Sequence, residues 1–337
     1  MIEIDGSLLE GGGSIVRFSV ALSALTGEPV RIFNIRAKRK NPGLQAQHLA
    51  AVKAVAKLCN AKVYGLEIGS RELKFYPDKL KGGKIDVKIS TAGSTMLVLQ
   101  ALLLPAIFCR NNVEVTIRGG GTFNEWAPTY HYFKHVALSA LKFFGVDAEV
   151  FAERHGFYPR GGAVVKAFIK PCSELTQINL TERGKLLEVG GVSCVANLPR
   201  HIAQRQRGSA INLLSKEGLI PTIRIEEYST LSPGTAITIW CLYENGAFGG
   251  SYLGKKGLRA EEVGKRAAYD LLEDLKSRAC FDKYLSDQLV PFLALSKSKI
   301  SVSKLTMHAK TNIEIIKRIL GVKIKVLEDE GHVILSC

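Results

Sequence analysis

The sequence predicts an α/β (α+β) fold: three repeated two-layer units, each of two helices on a four-stranded sheet, with a smaller inserted α/β domain. Three observations predict it. First, residues 14–36 run from Gly-Ser into an apolar helix, a short break and the strand 29–33, and residues 93–120 repeat this with the strand 113–117. Second, a helix followed by two strands recurs three times: 44–60 leads to 62–64 and 72–75, 132–145 to 147–150 and 162–169, and 311–321 to 323–327 and 332–335. Third, the last copy begins only near Phe281, with its first helix at 285–295, which leaves a long stretch outside the repeat. The helices show 3.6-residue spacing, and the strands show alternation or short apolar runs. Two amphipathic helices bury their apolar faces together only against one side of a sheet, hence the two layers.

The expected organisation is a body of 1–180 plus 280–337, in units of about 1–80, 81–180 and 280–337, with 181–279 as the insert. Inside the insert the pattern reads strand 186–196, helix 206–217, strands 222–227 and 236–242, and helix 260–276. Glycines 246, 249, 250, 254 and 257 read as loops between the last strand and that helix.

Bulk properties narrow the function. The 46 basic residues outnumber 31 acidic ones, a formal charge of +15, which favours an anionic partner: nucleic acid first, then phosphorylated small molecules. Seven dispersed cysteines contain no Cys-x-x-Cys pair, which fits reduced thiols in the cytoplasm and speaks against zinc knuckles. The start of the chain has no signal-peptide pattern, and the apolar run 96–109 is shorter than a membrane span, so no membrane partner is expected.

The segment Glu10-Gly11-Gly12-Gly13-Ser14-Ile15-Val16-Arg17 opens an apolar helix with glycines and a carboxylate. Free N–H groups at such a start suit an anion, Arg17 lies one turn on, and Glu10 suits a divalent cation. A tight strand-to-helix turn accounts for the same residues. No G-x-x-x-x-G-K-[ST] or G-x-G-x-x-G is present, so neither a P-loop nor a Rossmann fingerprint applies.

His308 is the sharpest candidate. Residues 311–314 have the form of a capping box, which places His308 in the link before a helix; the positive helix end and Lys310 would keep its ring neutral and nucleophilic. A packing histidine is the plain alternative. At helical spacing Tyr284, Asp287 and Gln288 share a polar face suited to adenine, ribose hydroxyls or a metal, though a solvated first turn would look the same. The basic turn 35–43 carries Arg36 and Arg39, forks suited to phosphate, while His48, in step with Leu44, Val52 and Val55, reads as packed. The turns 118–122, leading to Trp126-Ala127-Pro128, and 157–162 pair glycine and arginine with aromatics, as stacking surfaces for nucleic acid do and as plain hairpins also do. His131 and His135, spaced i,i+4 without a third ligand, do not make a zinc site.

Taken together and in order, the stretches 5–17, 34–49, 90–94 (STAGS), 118–128, 155–162 (HGFYPRGG), 260–268, 284–289 (YLSDQL) and 307–312 (MHAKTN) closely resemble the RNA 3'-terminal phosphate cyclase family. The resemblance implies the three-repeat fold with its insert and an ATP-dependent reaction. An RNA 3'-phosphate end becomes a 2',3'-cyclic phosphate through a covalent histidine–AMP and an RNA adenylate, releasing pyrophosphate and AMP. Carried over by motif, His308 is the nucleophile and Glu10 the carboxylate contacting Mg2+ or Mn2+. Arg17, Arg36, Arg39 and Gln47 hold terminal phosphates; Gln100, Pro128, Tyr284, Asp287 and Gln288 line the nucleotide pocket. A homodimer is left open.

Some positions depart from the family pattern. Ser14 replaces the usual glutamine, and Phe123-Asn124, Pro128-Thr129 and His131-Tyr132 stand where two acidic residues are usual. Two alternatives remain: a non-catalytic RNA-binding or ribosome-biogenesis protein of the same fold, which would not need His308, and a carboxyvinyl transferase using phosphoenolpyruvate, whose signature is missing.

Overall fold

The computed structural model describes residues 1–337. The first unit comprises β1 (Ile2–Asp5), α1 (Ser14–Thr26), β2 (Val30–Phe33), α2 (Ala46–Leu58), β3 (Lys62–Tyr64) and β4 (Leu73–Tyr76), with sheet order β1-β2-β4-β3. β1 and β2 are parallel, which requires a crossover, and α1 supplies it; the other pairs are antiparallel. Alternation turns Ile4, Val30, Ile32, Leu73 and Phe75 inward, all fully buried.

The second unit repeats this as β5 (Gly83–Ser94), α3 (Thr95–Ala106), β6 (Val113–Gly121), α4 (Tyr130–Tyr132), a π-helical turn Phe133–Ala137, α5 (Leu138–Lys142), β7 (Asp147–Arg154) and β8 (Val164–Lys170), in the order β5-β6-β8-β7. The third sheet has the same order, but its first strand is only the two-residue β9 (Asn179–Leu180), which pairs with Lys299 and Ile300. A pair that short carries no alternation, so the sequence pattern starts this unit too late.

Next come β10 (Leu186–Ala196), α6 (His201–Lys216), β11 (Thr222–Tyr228), β12 (Gly234–Tyr243), β13 (Gly246–Leu253) and α7 (Ala260–Leu275), on a sheet of their own ordered β11-β10-β12-β13. The third unit then completes itself with α8 (Leu285–Ser296), β14 (Lys299–Val302), α9 (Met307–Leu320), β15 (Lys325–Asp329) and β16 (His332–Ser336), sheet order β15-β16-β14-β9.

Two local expectations are corrected. Gly246, Gly249 and Gly250 belong to the edge strand β13 rather than to a loop. A Cβ at Gly249 would stand 2.7 Å from the Tyr132 ring, and one at Gly250 2.2 Å from the Ala267 carbonyl oxygen, so these glycines admit the helices that cover the strand. α9 starts at Met307, not after residue 311: Thr306 is its N-cap and accepts from the Ala309 N–H at 3.1 Å, while Thr311 Oγ1 donates back to the Met307 carbonyl. All seven cysteines are free, and no helix is long and apolar enough to cross a membrane.

Candidate active site

Five helix starts converge where the units meet. The tri-glycine turn ends at Gly13, the N-cap of α1. His48, in the first turn of α2, is 3% exposed and presses Nε2 into the space a Gly13 side chain would fill, while its Nδ1 accepts from the Gln45 N–H at 3.0 Å. Gln47 accepts from the Ser94 N–H, at the N-cap of α3, at 3.0 Å. Asn312 of α9 donates to the Asp287 carbonyl of α8 at 3.1 Å.

His308 lies in the first turn of α9, and its Nδ1 rests against a Glu10 carboxylate oxygen, with Ser14 Oγ 3.4 Å away. The Glu10 contact raises the His308 pKa, ahead of burial and Arg17, which lower it. That is the opposite direction from the one expected of a helix end, because a carboxylate in contact outweighs a partial charge. Nε2 is left for chemistry. The other Glu10 oxygen accepts from Arg39. Burial works to raise the Glu10 pKa, yet His308 and Arg39 together hold it below its ordinary value.

Behind this pair a narrow pocket is lined by Ser14, Arg17, Gln100, Asp287 and Gln288 among apolar side chains. Burial lowers the Arg17 pKa to about 10, against the pull of Asp287 and Glu10, so the guanidinium stays charged at neutral pH. Burial pushes Asp287 up to about 6, opposed by His308 and Arg17. Thus Glu10, Arg17, Gln100, Asp287, Gln288 and His308 are brought together. Arg39 joins them through Glu10, and Gln47 borders them through α2. Arg36 is turned into its own loop, donating to the Gly43 carbonyl at 2.9 Å. Pro128 and Tyr284 lie outside that lining; the Tyr284 hydroxyl donates to Asp270 of α7 at 2.9 Å.

One residue of the neighbourhood is missing from the sequence reading. Asp282 is fully buried and accepts from the Tyr132 hydroxyl, the Gly249 N–H and the Tyr284 N–H at 2.8 Å, and from the Leu285 N–H at 2.9 Å. The available signal was an aspartate three residues ahead of a helical leucine, the N-cap spacing.

No group of three His, Cys, Asp or Glu side chains is poised to hold a metal ion. Glu10 is the carboxylate placed to hold one, by exchanging its contact with His308 or Arg39, which between them take both of its oxygens. A magnesium-type ion needs only one or two carboxylates when phosphate oxygens supply the rest.

Three buried histidines and the half-buried His135 set an acid limit. Burial, first among the causes, lowers His48 to about 3, His135 and His155 to about 4, and His131 well below its usual value. They stay neutral in the fold, whereas the unfolded chain takes up protons below about pH 6.5. Their stabilisation is therefore complete above that pH and falls away toward pH 4. Thermal melts should show Tm dropping steadily between pH 6.5 and 4, with His48 alone contributing up to about 1.4 kcal/mol per pH unit.

The sequence model of the RNA 3'-terminal phosphate cyclase family matches residues 8–326. Proteins named RNA 3'-terminal phosphate cyclase are similar over nearly the full length. That of Pyrococcus furiosus is 47% identical over 333 residues, 99% of this chain and 96% of the relative. That of Methanosarcina mazei is 44% identical over 350 residues, 98% of each chain. A solved EPSP synthase from Acinetobacter baumannii overlaps 52% of this chain and 49% of its own at 11% identity and a TM-score of 0.25, too slight a likeness to bear on fold or function. With a family match over nearly its whole length and relatives so close, the chain belongs to the RNA 3'-terminal phosphate cyclase family.

Proposed function

We propose that the chain converts RNA 3'-phosphate ends to 2',3'-cyclic phosphates at the expense of ATP, with His308 as the covalent carrier. The observation that carries the reading is the meeting of His308 and Glu10, from opposite ends of the chain, beside Arg17, Arg39 and the polar pocket. Neutral His308 attacks the α-phosphorus of ATP through Nε2, and the bond to the bridging oxygen breaks, releasing pyrophosphate. Glu10, against Nδ1, stabilises the positive charge that attack leaves on the ring.

The adenylyl group then passes to an oxygen of the RNA 3'-phosphate and frees the imidazole. The 2'-oxygen, already adjacent, attacks the activated phosphorus, loses its proton to solvent and expels AMP. Arg17 and Arg39 are the cations placed to hold phosphates, with Gln47 at the border; Arg36 reaches that role only by leaving its loop. Gln100, Asp287 and Gln288 receive the nucleotide, with Pro128 and Tyr284 at its outer edge. Mg2+ or Mn2+, held by Glu10 and phosphate oxygens, would neutralise charge on the departing pyrophosphate. The seven free thiols suit a cytoplasmic site of action.

The test uses ATP labelled at the α-phosphate, Mg2+ and an RNA ending in a 3'-phosphate, on wild type and His308→Ala. Wild type should take up a denaturation-stable, acid-labile label and make the end phosphatase-resistant; the variant should do neither. If wild type binds RNA yet takes no label and leaves the end phosphatase-sensitive, the chain is an RNA binder of this fold and not a cyclase.

A further inference from the structure

Apart from Pro128, the two glycine–arginine–aromatic turns singled out in the sequence have no part in the reaction above, and the fold places them side by side. Phe123 and Phe157 form an isolated β-bridge and stack at 4.7 Å between ring centres, so the loops following β6 and β7 run together. Three residues along one loop, Trp126 is 96% exposed; one residue along the other, Tyr158 is 79% exposed. Trp126 also has φ +62°, a conformation that costs a tryptophan energy. Its loop is pinned on both sides: Asn124 donates to the Ala92 carbonyl at 2.6 Å, and Glu125 pairs with Lys255 at 2.6 Å. The fold holds a large aromatic in a strained position and gains no burial from it.

A chain of contacts joins these loops to the candidate active site. His48 and Gln47, in the first turn of α2, touch Gly13 and the Gly93–Ser94 segment respectively. The same segment carries Ala92, which receives Asn124 and abuts Gly161, where an added Cβ would stand 3.0 Å from the Ala92 Cα. A strand leaving the space beside Gln47 therefore meets the two loop tips next.

Where these loops leave the sheet, one row of its exposed side is positive. Lys88 and Arg118 are register partners on β5 and β6, and Arg118 faces Val164, the partner of Arg154, so the three cations cross the exposed side of one sheet. Arg160 follows Tyr158 in the loop. None of these four makes an ion pair, while Lys84 and Lys170, farther down the same sheet, do. Exposed aromatics over unpaired cations are the composition of single-strand binding surfaces, where bases stack and phosphates are neutralised.

We infer that Trp126 and Tyr158, over Lys88, Arg118, Arg154 and Arg160, form a stacking platform for the RNA nucleotides upstream of the 3'-phosphate end. This rests on the proposed function for the identity of the strand. Its test does not depend on turnover, because the chain has only two tryptophans and Trp240 is 3% exposed and stacked on His135 at 4.1 Å. Fluorescence quenching therefore reports on Trp126.

The probes are a 3'-phosphorylated oligoadenylate of about ten nucleotides and the 3'-phosphorylated dinucleotide. The longer RNA should quench the wild type strongly and the dinucleotide weakly. Trp126→Phe should lose the signal while retaining tight binding measured by anisotropy of labelled RNA. Trp126→Ala and Tyr158→Ala should each weaken binding of the longer RNA by roughly fivefold or more. Joint replacement of Lys88 and Arg118 by Ala should reduce the salt dependence of binding. Equal quenching by both probes, no quenching at all, or unaltered affinity in both alanine variants would overturn the platform. Quenching intact with no His308 label would instead remove the cyclase reading and leave the platform standing.

Discussion

Gly13→Ala is expected to reduce AMP transfer to His308 by roughly 100-fold, although an alanine suits the local backbone. Gly13 has φ −71° and ψ −12°, a right-handed conformation open to any residue. The obstacle is a single contact: the added Cβ would stand 2.1 Å from His48 Nε2. That ring cannot retreat, because it is buried and its Nδ1 is tied to the Gln45 N–H. The start of α1 must move instead, and Glu10, Ser14 and Arg17 move with it. A displacement of about 1 Å at a reacting group is enough for a loss of this size. Overpacking also costs about 1–3 kcal/mol, visible as a lower Tm. Removing the ring in the double variant Gly13→Ala/His48→Ala should restore part of the transfer. Neighbouring Gly12→Ala meets only the flexible ends of Arg39 and Glu10, at 3.1 and 3.3 Å, and should cost far less. Wild-type transfer by Gly13→Ala, or no relief in the double variant, would exclude this packing role.

The difference between Gly13 and Gly12 marks how far the sequence could be read. The tri-glycine turn is visible as a backbone approach, but which glycine is closed against a side chain depends on α2, a separate element. The repeat was legible because helix and strand periods survive in three copies; β9 was not, because two residues have no period. His308 was found as a candidate from its neighbours, yet its charge state depends on Glu10, almost the whole chain away. The helix start was misplaced for a local reason: Thr311, with Glu314 three residues on, has the capping-box form, whereas Thr306, with Ala309 at that spacing, caps with its hydroxyl alone. Ser14 stands where glutamine is usual, and in the fold its hydroxyl lies beside the His308 ring.

Asp282→Ala should destabilise the chain by about 3–5 kcal/mol, more than the loss of any one of its contacts. The carboxylate joins three parts of the fold: Tyr132 from the second unit, Gly249 from β13, and the Tyr284 and Leu285 N–H groups that start α8. Truncation leaves these donors buried without an acceptor, and each unsatisfied group costs about 1–3 kcal/mol before partial relaxation. Asp282→Asn keeps an oxygen for the two α8 N–H groups but turns an amide N–H toward Gly249 N–H, so its loss should be intermediate. Tyr132→Phe removes one donor and should cost about 1 kcal/mol. Urea melts of the three variants would then rank Ala, Asn and Phe in that order. A functional loss should accompany the first two, since α8 also carries Asp287 and Gln288 into the pocket. If Asp282→Ala melts like wild type, the three parts are held together by apolar packing alone and the four hydrogen bonds are incidental.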